Sequence, residues 1–471
     1  MLPVISTGSI LLSGPKLLPL PTQYPEMTQV WKYSYKNIWR VAFPILISLV
    51  VEHLIGLTDT AFLGRVGEVE LGASAIAVIY YMVIFMLGFG FSIGSQIIIG
   101  RRNGEGNYRQ TGYVFWQGIY FLLGLAVVMI LLSEAVTPWL MSKMVSSPSV
   151  YRAALDYVTW RQPGMLFAYC TTMFRAFYVG TTNTKTLTFN AVVMALSNMI
   201  FNYILIFGKL GLPALGIKGA AIGSSMAELV SLIFFVVYML RTTDLKKYGL
   251  NVLTRFEWKS LREILGVSIW TMIQSFISIS TWLIFFLYIE RLGERSLAIS
   301  NIVRSVSGIL WMIVQAFSST TNTLVSNMIG EGKQEFVFPL LKRISKFTAY
   351  LIVPLLVLFV IFPKIVIGIY TDIPDLIVAT IPAMIVMISS YIFTVPAQIF
   401  FSALSGTGNT RKAFYLEMIA LAFYVLYCTV VVGWLKSDVA LCWTAEHVYS
   451  TFVVVLSFAY MRSGKWKNKK I

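Results

Sequence analysis

Long apolar runs alternate with short polar segments along most of the chain, from Arg40 to Met461. Each run has about 18 or more residues with few charges, which is enough to cross roughly 30 Å of hydrocarbon as a helix. Several runs are longer than one crossing needs, so we expect tilted helices or irregular ends. The pattern predicts twelve transmembrane helices, at approximately 41–63, 71–99, 113–138, 153–180, 186–207, 219–240, 263–289, 297–327, 339–362, 376–404, 413–434 and 439–461.

The chain also repeats itself at a constant offset of 226 residues. The matched pairs include Arg65 with Arg291, Phe91 with Phe317, Gly104-Glu105-Gly106 with Gly330-Glu331-Gly332, and Gly180-Thr181 with Gly406-Thr407. One register held over about a hundred residues indicates duplication, and two similar membrane halves are typical of carriers. We therefore predict an all-α integral membrane protein with two six-helix bundles. The predicted divisions are an N-terminal extension (1–39), two bundles (40–241 and 263–461), a basic linker (242–262) and a basic tail (462–471).

Composition supports a membrane protein and charge placement orients it. The chain is 57% hydrophobic and 12% charged, with a mean hydropathy of +0.75. The net charge is +16, and most of the 37 lysines and arginines lie in the N-terminal segment, the loops after even-numbered helices and the tail. By the positive-inside rule both termini are cytoplasmic, in a multi-pass protein of the cell membrane. This distribution gives no reason to expect a nucleic-acid partner.

The first 39 residues are Pro-rich and lack the basic start and continuous apolar stretch of a signal peptide. We interpret them as a cytoplasmic extension with an interfacial stretch from Trp31 to Trp39. An alternative is that the natural start is Met27, and an intact-mass measurement of natively expressed protein distinguishes the two.

Few residues offer covalent or metal chemistry. Cys170, Cys428 and Cys442 all lie within predicted spans, which is typical of small core residues. His53 and His447 lie on distant helices without ligand partners at workable spacing. An intramembrane enzyme, the alternative from another functional class, would need a nucleophile with a base or a metal cluster. We therefore expect a transporter without a cofactor or a bound metal, apart from a coupling ion.

Several motifs resemble those of the multidrug and toxic compound extrusion (MATE) transporters. They occur in family order over residues 40–461 and are Phe43-Pro44 with Gly56 through Gly64, Gly104-Glu105-Gly106, Gly180 through Lys185, Asn198 with Ile206-Phe207-Gly208, and Gly219 through Gly223. The resemblance implies two bundles facing each other across a central cavity. It also implies antiport, in which Na⁺ or H⁺ entry drives export of cationic or amphipathic small molecules. We expect a monomer in the lipid bilayer.

A flippase for lipid-linked precursors is the nearest alternative within transport. Such exporters usually need extra helices or a strongly basic cavity for pyrophosphate. Here only Arg161, Arg175 and Arg304 lie at membrane depth, and we expect Arg161 and Arg175 to snorkel or to pair locally.

Asp59 and Glu52 are the leading candidates for cation or proton binding, because a charge at membrane depth is costly unless it faces a cavity or a partner. Asp59 lies where MATE transporters commonly keep a first-helix carboxylate, and Na⁺ at this carboxylate is the metal interaction that we expect. Glu52 lies seven residues earlier, about 10 Å along the helix, so the two cannot share one ion directly. We leave open whether Glu52 is a proton relay, a substrate-facing charge or a structural hydrogen-bonding group.

Asn198 and Asn202 are four residues apart on the fifth helix and share a face. In part of the MATE family the second position is an Asp that joins the first-helix carboxylate. Here it is Asn202, so a site with two carboxylates requires Glu52 to take over. Ser224 on the sixth helix is a further candidate ligand.

The seventh and tenth helices lack interior acidic groups, although other MATE branches use them there. Tyr81, Trp270, Gln274 and Glu417 are candidates for the substrate cavity. Glu228 and Glu446 occupy similar places in the two halves and favour a role in helix packing. In the repeat register Asp59 corresponds to Phe285, so the ion chemistry is predicted to be confined to the first half.

Overall fold

The computed structural model describes residues 33–145, 147–467 and 469. Within these residues the secondary structure is helical throughout, which confirms the predicted all-α class. The predicted N-terminal extension up to residue 32, with Trp31 and the alternative start at Met27, lies outside the described residues.

The helices of the first half are α1 (Tyr35–Gly64), α2 (Glu68–Gly104), α3 (Tyr108–Met144), α4 (Pro148–Arg161), α5 (Gly164–Gly180), α6 (Lys185–Phe207) and α7 (Ile217–Thr242), followed by the short α8 (Leu245–Tyr248). Those of the second half are α9 (Trp258–Glu290), α10 (Glu294–Gly330), α11 (Val337–Ile361), α12 (Pro363–Gly368), α13 (Pro374–Gly406), α14 (Thr410–Cys428), α15 (Val439–Cys442) and α16 (Ala445–Arg462). A π-helical turn, Thr429–Trp434, extends α14.

Eleven helical segments of the described chain are long and apolar enough to cross a membrane. The fourth predicted span, 153–180, is not among them, and the prediction of one continuous helix there was wrong. Pro163 has no N–H to bond to the preceding turn, so the crossing divides into α4 with 14 residues and α5 with 17. Together α4 and α5 complete the expected twelve crossings.

The two halves contact each other at the end of the molecule that carries both Gly-Glu-Gly turns, here called the turn end. Over roughly their last fourteen residues, α2 and α10 are buried on nearly every side, whereas their other halves are only partly buried. A helix that is apolar and buried all round is surrounded by protein. The bundles are therefore packed together at the turn end of these two helices.

A polar contact at the turn end marks the symmetry of the duplication. Gln96 Nε2 donates to Asn322 Oδ1 at 3.4 Å and to Thr323 Oγ1 at 2.9 Å. Gln96 and Asn322 are 226 residues apart, so each is the repeat equivalent of the other. Equivalent residues touch only near the axis that relates the halves, which places a pseudo-two-fold axis between α2 and α10.

Reciprocal hydrogen bonds extend this contact to the loops. Arg101 Nη2 donates to the backbone oxygen of Thr407 at 3.0 Å, and Asn327 Nδ2 donates to that of Gly180 at 2.9 Å. Arg101 and Asn327 are themselves repeat equivalents. Each half therefore satisfies a carbonyl group in the corresponding loop of the other.

Two glycines permit this close approach. A side chain at Gly104 would collide with the backbone of Asn327, and one at Gly330 would collide with the backbone of Arg101. The obstacle is backbone in both cases, which cannot rotate away as a flexible side chain can. The glycines of the repeated motif thus serve contact between the halves as well as the turns.

Candidate functional site

Asp59 lies in the penultimate turn of α1, five residues before the helix ends at Gly64. It is half-buried, and its Oδ1 accepts a hydrogen bond from Nδ2 of the fully buried Asn202 at 2.6 Å. Asn202 lies on α6, which packs along α1. The distance is that of a charge-assisted hydrogen bond, so the amide fixes the position of the carboxylate.

The hydrogen bonds continue from Asn202 across α6 to α7. Asn202 Nδ2 also donates to Asn198 Oδ1 at 3.3 Å, because residues four apart share a helix face. Asn198 Nδ2 in turn donates to Ser224 Oγ at 3.2 Å. Asp59, Asn202, Asn198 and Ser224 form one polar cluster, here called the Asp59 cluster. The structure thus brings together four of the five residues predicted for cation or proton binding.

One oxygen of the cluster is left unused. Asn202 Oδ1 is buried and has no hydrogen-bond partner within the described residues. Gly223 of α7 lies directly against this amide oxygen, and a side chain at that position would collide with it. Leaving a buried polar atom without a partner typically costs about 1–3 kcal/mol. A carboxylate beside an unpaired amide oxygen is a donor set that suits a hard cation such as Na⁺, or a proton on the carboxylate.

A buried ion pair lies next to the Asp59 cluster. The guanidinium of Arg161, at the end of α4, donates from Nη1 to Glu228 Oε2 at 2.7 Å and from Nη2 to Glu228 Oε1. Its Cζ lies 4.2 Å from the ring centroid of Tyr81, and the Tyr81 hydroxyl is 3.5 Å from Glu228 Oε1. Arg161 also acts electrostatically on Asp59, and Tyr157 lies near both groups. Of the two expected outcomes for Arg161, snorkelling or pairing, the structure has an ion pair, and it runs across helices to Glu228.

The break between α4 and α5 supplies this arrangement. Met165 N bonds to the oxygen of Gln162 instead of continuing the α-helical pattern to Arg161. Ser225 Oγ on α7 lies 3.4 Å from the carbonyl oxygens of both Trp160 and Arg161. A carbonyl freed inside a membrane protein must find such a partner, and broken helices often border the binding sites of carriers.

Glu52 lies outside the Asp59 cluster. It is exposed. Its charged neighbour is Arg175 on α5, whose Cζ is 5.2 Å from the ring centroid of Phe89. This part of α1 therefore carries an acidic side chain with a basic neighbour, nearer to the turn end than Asp59.

The four residues predicted for the substrate cavity are dispersed. Tyr81 belongs to the Arg161–Glu228 pair, whereas Trp270 packs on Phe414 and Tyr415 of α14. Gln274 Oε1 is buried without a partner within the described chain.

Glu417, the fourth of these residues, is buried in the second half. Its Oε1 accepts hydrogen bonds from Ser278 at 2.7 Å and Tyr449 at 3.1 Å, and its Oε2 has no partner within the described chain. Ser278 is the repeat equivalent of Glu52. The two halves therefore each carry an acidic group in this region, on different helices.

Sequence reasoning missed the link between Arg161, Glu228 and Asp59. Its signal was Pro163, which interrupts an apolar span directly after a charged and an amide residue. Which carboxylate the arginine contacts depends on the packing of α4 against α7, and periodicity within one helix carries no information on that. Glu446, the counterpart of Glu228, instead accepts a hydrogen bond from Tyr424 at 3.4 Å.

A comparison with known families decides what this architecture is. The model of the MatE family matches residues 44–204 and 271–441. The chain belongs to the MATE family. The resemblance seen in the motifs is thereby confirmed, and this MATE protein is a multi-pass membrane transporter rather than an enzyme.

Two relatives of this MATE transporter match most of its length at low identity. A probable multidrug resistance protein NorM of Thermotoga maritima is 23% identical over 445 residues, which cover 93% of this chain and 94% of the relative. Multidrug resistance protein MdtK of Edwardsiella ictaluri is 21% identical and covers 84% and 86%.

Solved structures share its fold. A MOP superfamily transporter from Pyrococcus furiosus, described as having a binding pocket of reverse polarity, superposes with a TM-score of 0.81 at 18% identity and covers 92% of this chain and 97% of the other. A multidrug resistance MATE transporter described in an outward-facing conformation gives 0.80 at 17% identity, with 92% and 97% covered.

Proposed function

We propose that this MATE transporter is a secondary active antiporter that couples the entry of Na⁺ or H⁺ to the export of cationic or amphipathic small molecules. The observation that carries the proposal is the Asp59 cluster, in which a half-buried carboxylate lies beside the unpaired oxygen of Asn202. Relatives described as multidrug resistance proteins support the substrate class.

The proposed mechanism alternates between two arrangements of the halves. Both termini are cytoplasmic in the cell membrane, as the basic linker and tail indicate, so the turn end faces the cytoplasm. The described state is then closed inside by Gln96, Arg101 and Asn327. Asp59, near the opposite end of α1, is accessible to a cation from outside. Rocking of the bundles about the pseudo-two-fold axis exchanges the open side.

Glu52 has a separate role in this proposal. It is exposed and lies about two helical turns from Asp59, which places it in the proposed central cavity between the bundles. A carboxylate at that depth attracts cationic substrates, and Arg175 balances the negative charge of Glu52 when the cavity is empty. The transporter acts as a monomer in the bilayer, since each chain contains both halves.

Dye efflux from proteoliposomes tests the proposal. A cationic dye should leave when an inward Na⁺ gradient is imposed at fixed pH, or when a pH gradient is imposed without Na⁺. Asp59→Asn should abolish the gradient-driven efflux, because the neutral amide neither takes up a proton nor balances a sodium charge. Asp372→Asn makes the same chemical change at an exposed loop position and should leave efflux intact.

Two results count against the proposal. Efflux that responds to neither gradient in the wild type removes cation coupling, and full coupled efflux in Asp59→Asn removes the Asp59 cluster from the mechanism.

A further inference from the structure

Packing alone does not explain the ion pair between Arg161 and Glu228. A buried pair is seldom more stabilising than apolar residues of similar volume. Both side chains are nearly buried, with exposed side-chain fractions of 10% and 8%. The guanidinium already has two bonds to Glu228. Adjacent serines of α7 place it beside the Asp59 cluster: Ser225 Oγ accepts from Arg161 Nη1 at 3.4 Å, and Ser224 Oγ accepts from Asn198 Nδ2 at 3.2 Å.

We propose that Arg161 is a positioning residue whose guanidinium competes with the coupling cation for the Asp59 carboxylate. Glu228 holds this guanidinium away from Asp59. The inference rests on the proposed function and adds the device that sets the cation affinity of the Asp59 cluster. With Glu228 in place, the guanidinium is held by its two carboxylate oxygens and Asp59 is free for Na⁺ or H⁺. Without Glu228, the guanidinium becomes the counter-ion of Asp59.

Among the described residues, Glu228 and Asp59 are the two acidic groups that face the guanidinium of Arg161. The titratable groups that face it are Glu228 on α7, Tyr81 on α2, Tyr157 on its own helix and Asp59 on α1. The two tyrosines supply a ring face and hydroxyl groups, but no negative charge at neutral pH. The carboxylates therefore compete for one cation.

The side chain is also placed where movement is possible. Arg161 is the last residue of α4, where the partial negative charge of the helix end favours a cation. The backbone beyond it is broken at Pro163, so this end of the helix is not fixed by continuous hydrogen bonding. Its side-chain contact to Ser225 Oγ is long, at 3.4 Å.

The test is the cation dependence of dye efflux, measured as the half-saturating Na⁺ concentration or, for H⁺, the midpoint of the pH profile. Arg161→Gln removes the competing guanidinium and should lower the half-saturating cation concentration about tenfold, as expected for removing one unit charge near a carboxylate. Glu228→Gln releases the guanidinium of Arg161 and should raise the half-saturating cation concentration about tenfold. A purely structural pair predicts changes of the same sign. Two fixed charges near Asp59 also give opposite signs, but their effects cancel in the double variant, so tighter cation binding in the double variant identifies the proposed role.

A matched control joins the same two helices. Asp156 of α4 and Lys218 of α7 form an exposed pair at 3.4 Å, and Lys218→Gln and Asp156→Asn should leave the cation dependence unchanged. If the single variants at Arg161 or Glu228 do not fold, the double variant Arg161→Gln/Glu228→Gln decides. It buries a neutral pair and should bind the cation more tightly than the wild type.

Shifts of equal sign in the two single variants, or an unchanged or weakened cation affinity in the double variant, overturn the inference. The outcome is separable from that of the proposed function. If coupled efflux exists and Asp59→Asn abolishes it, antiport stands even when the Arg161 and Glu228 variants shift together.

Discussion

At the scale of single residues, the unusual feature is an amide where a second carboxylate would be expected. Asn202 gives its Nδ2 protons to Asp59 and Asn198, and its oxygen points to no partner in the described chain. In the proposed mechanism, one negative charge rather than two therefore faces the cation, and one Na⁺ or one H⁺ balances the charge of the cluster in each cycle.

Asn202→Asp tests this account of the charge. The new carboxylate would lie 2.6 Å from Asp59 if the geometry is kept, so it adds a second oxygen anion to the same site. We expect the half-saturating cation concentration of dye efflux to fall about tenfold, equivalent to about 1.4 kcal/mol. Efflux should also slow, because a tightly held cation leaves reluctantly. Asn190→Asp, on the same helix but bonded to Ser231, is the control. A higher half-saturating concentration in Asn202→Asp would contradict the account.

Part of the site follows from the sequence for a clear reason. Asp59, Asn198 and Asn202 are polar residues inside apolar runs, and the helical period alone places Asn198 and Asn202 on one face. The pair of Arg161 with Glu228 does not follow, because those residues are 67 positions apart and meet only through the packing of α4 on α7. Local patterns give candidates, whereas partners come from tertiary structure.

At the scale of the elements, the break between α4 and α5 positions polar groups of the candidate site. The sequence predicts the crossing but not its break, because one proline leaves the apolar pattern of the run almost unchanged. The break frees the carbonyl oxygens of Trp160 and Arg161, and Ser225 of α7 is their neighbour. The same helix presents Ser224 to Asn198, so adjacent serines serve the break and the Asp59 cluster separately.

Substituting each serine separates these two roles. Ser225→Ala removes a hydroxyl that donates to Ala221 O at 2.9 Å and lies 3.4 Å from the two freed carbonyl oxygens, and it should lower the free energy of unfolding by about 1 kcal/mol. A thermal-unfolding assay in detergent should show a lower midpoint. Ser224→Ala instead removes a hydrogen bond to the Asp59 cluster and should weaken the cation dependence of efflux two- to threefold, roughly 0.6 kcal/mol. An unfolding midpoint unchanged in Ser225→Ala would show that the hydroxyl does not support the break.

At the scale of the whole molecule, the duplication builds both the closure and the axis of movement. Gln96 meets its own repeat equivalent, Asn322, and the reciprocal loop contacts of Arg101 and Asn327 lie around it. The sequence predicts the two bundles from the repeat. It does not predict that the repeated glycines are contact points, because this depends on how the bundles meet. In the proposed mechanism the ion chemistry is asymmetric, whereas the arrangement of the two halves is symmetric.

Enlarging a glycine at the turn end should shift the population of states. Gly104→Val or Gly330→Val places side-chain atoms against the backbone of Asn327 or Arg101, so the closed arrangement is disfavoured. Spin labels at Asn107→Cys and Glu335→Cys, near the two turns, should report longer distances by double electron–electron resonance. Gly124→Val is the control, because no atoms lie within 4 Å of a Cβ added at that position. Unchanged distances would mean that these glycines do not maintain the closure.

The most direct test of the central claim, that the coupling cation binds in the first half at Asp59, is the charge movement in proteoliposomes adsorbed on a solid-supported membrane. A jump in Na⁺ concentration or in pH should produce a transient current in the wild type, no current in Asp59→Asn, and a current close to that of the wild type in Glu417→Gln. A persisting current in Asp59→Asn together with its loss in Glu417→Gln would place the coupling site in the second half and contradict the account.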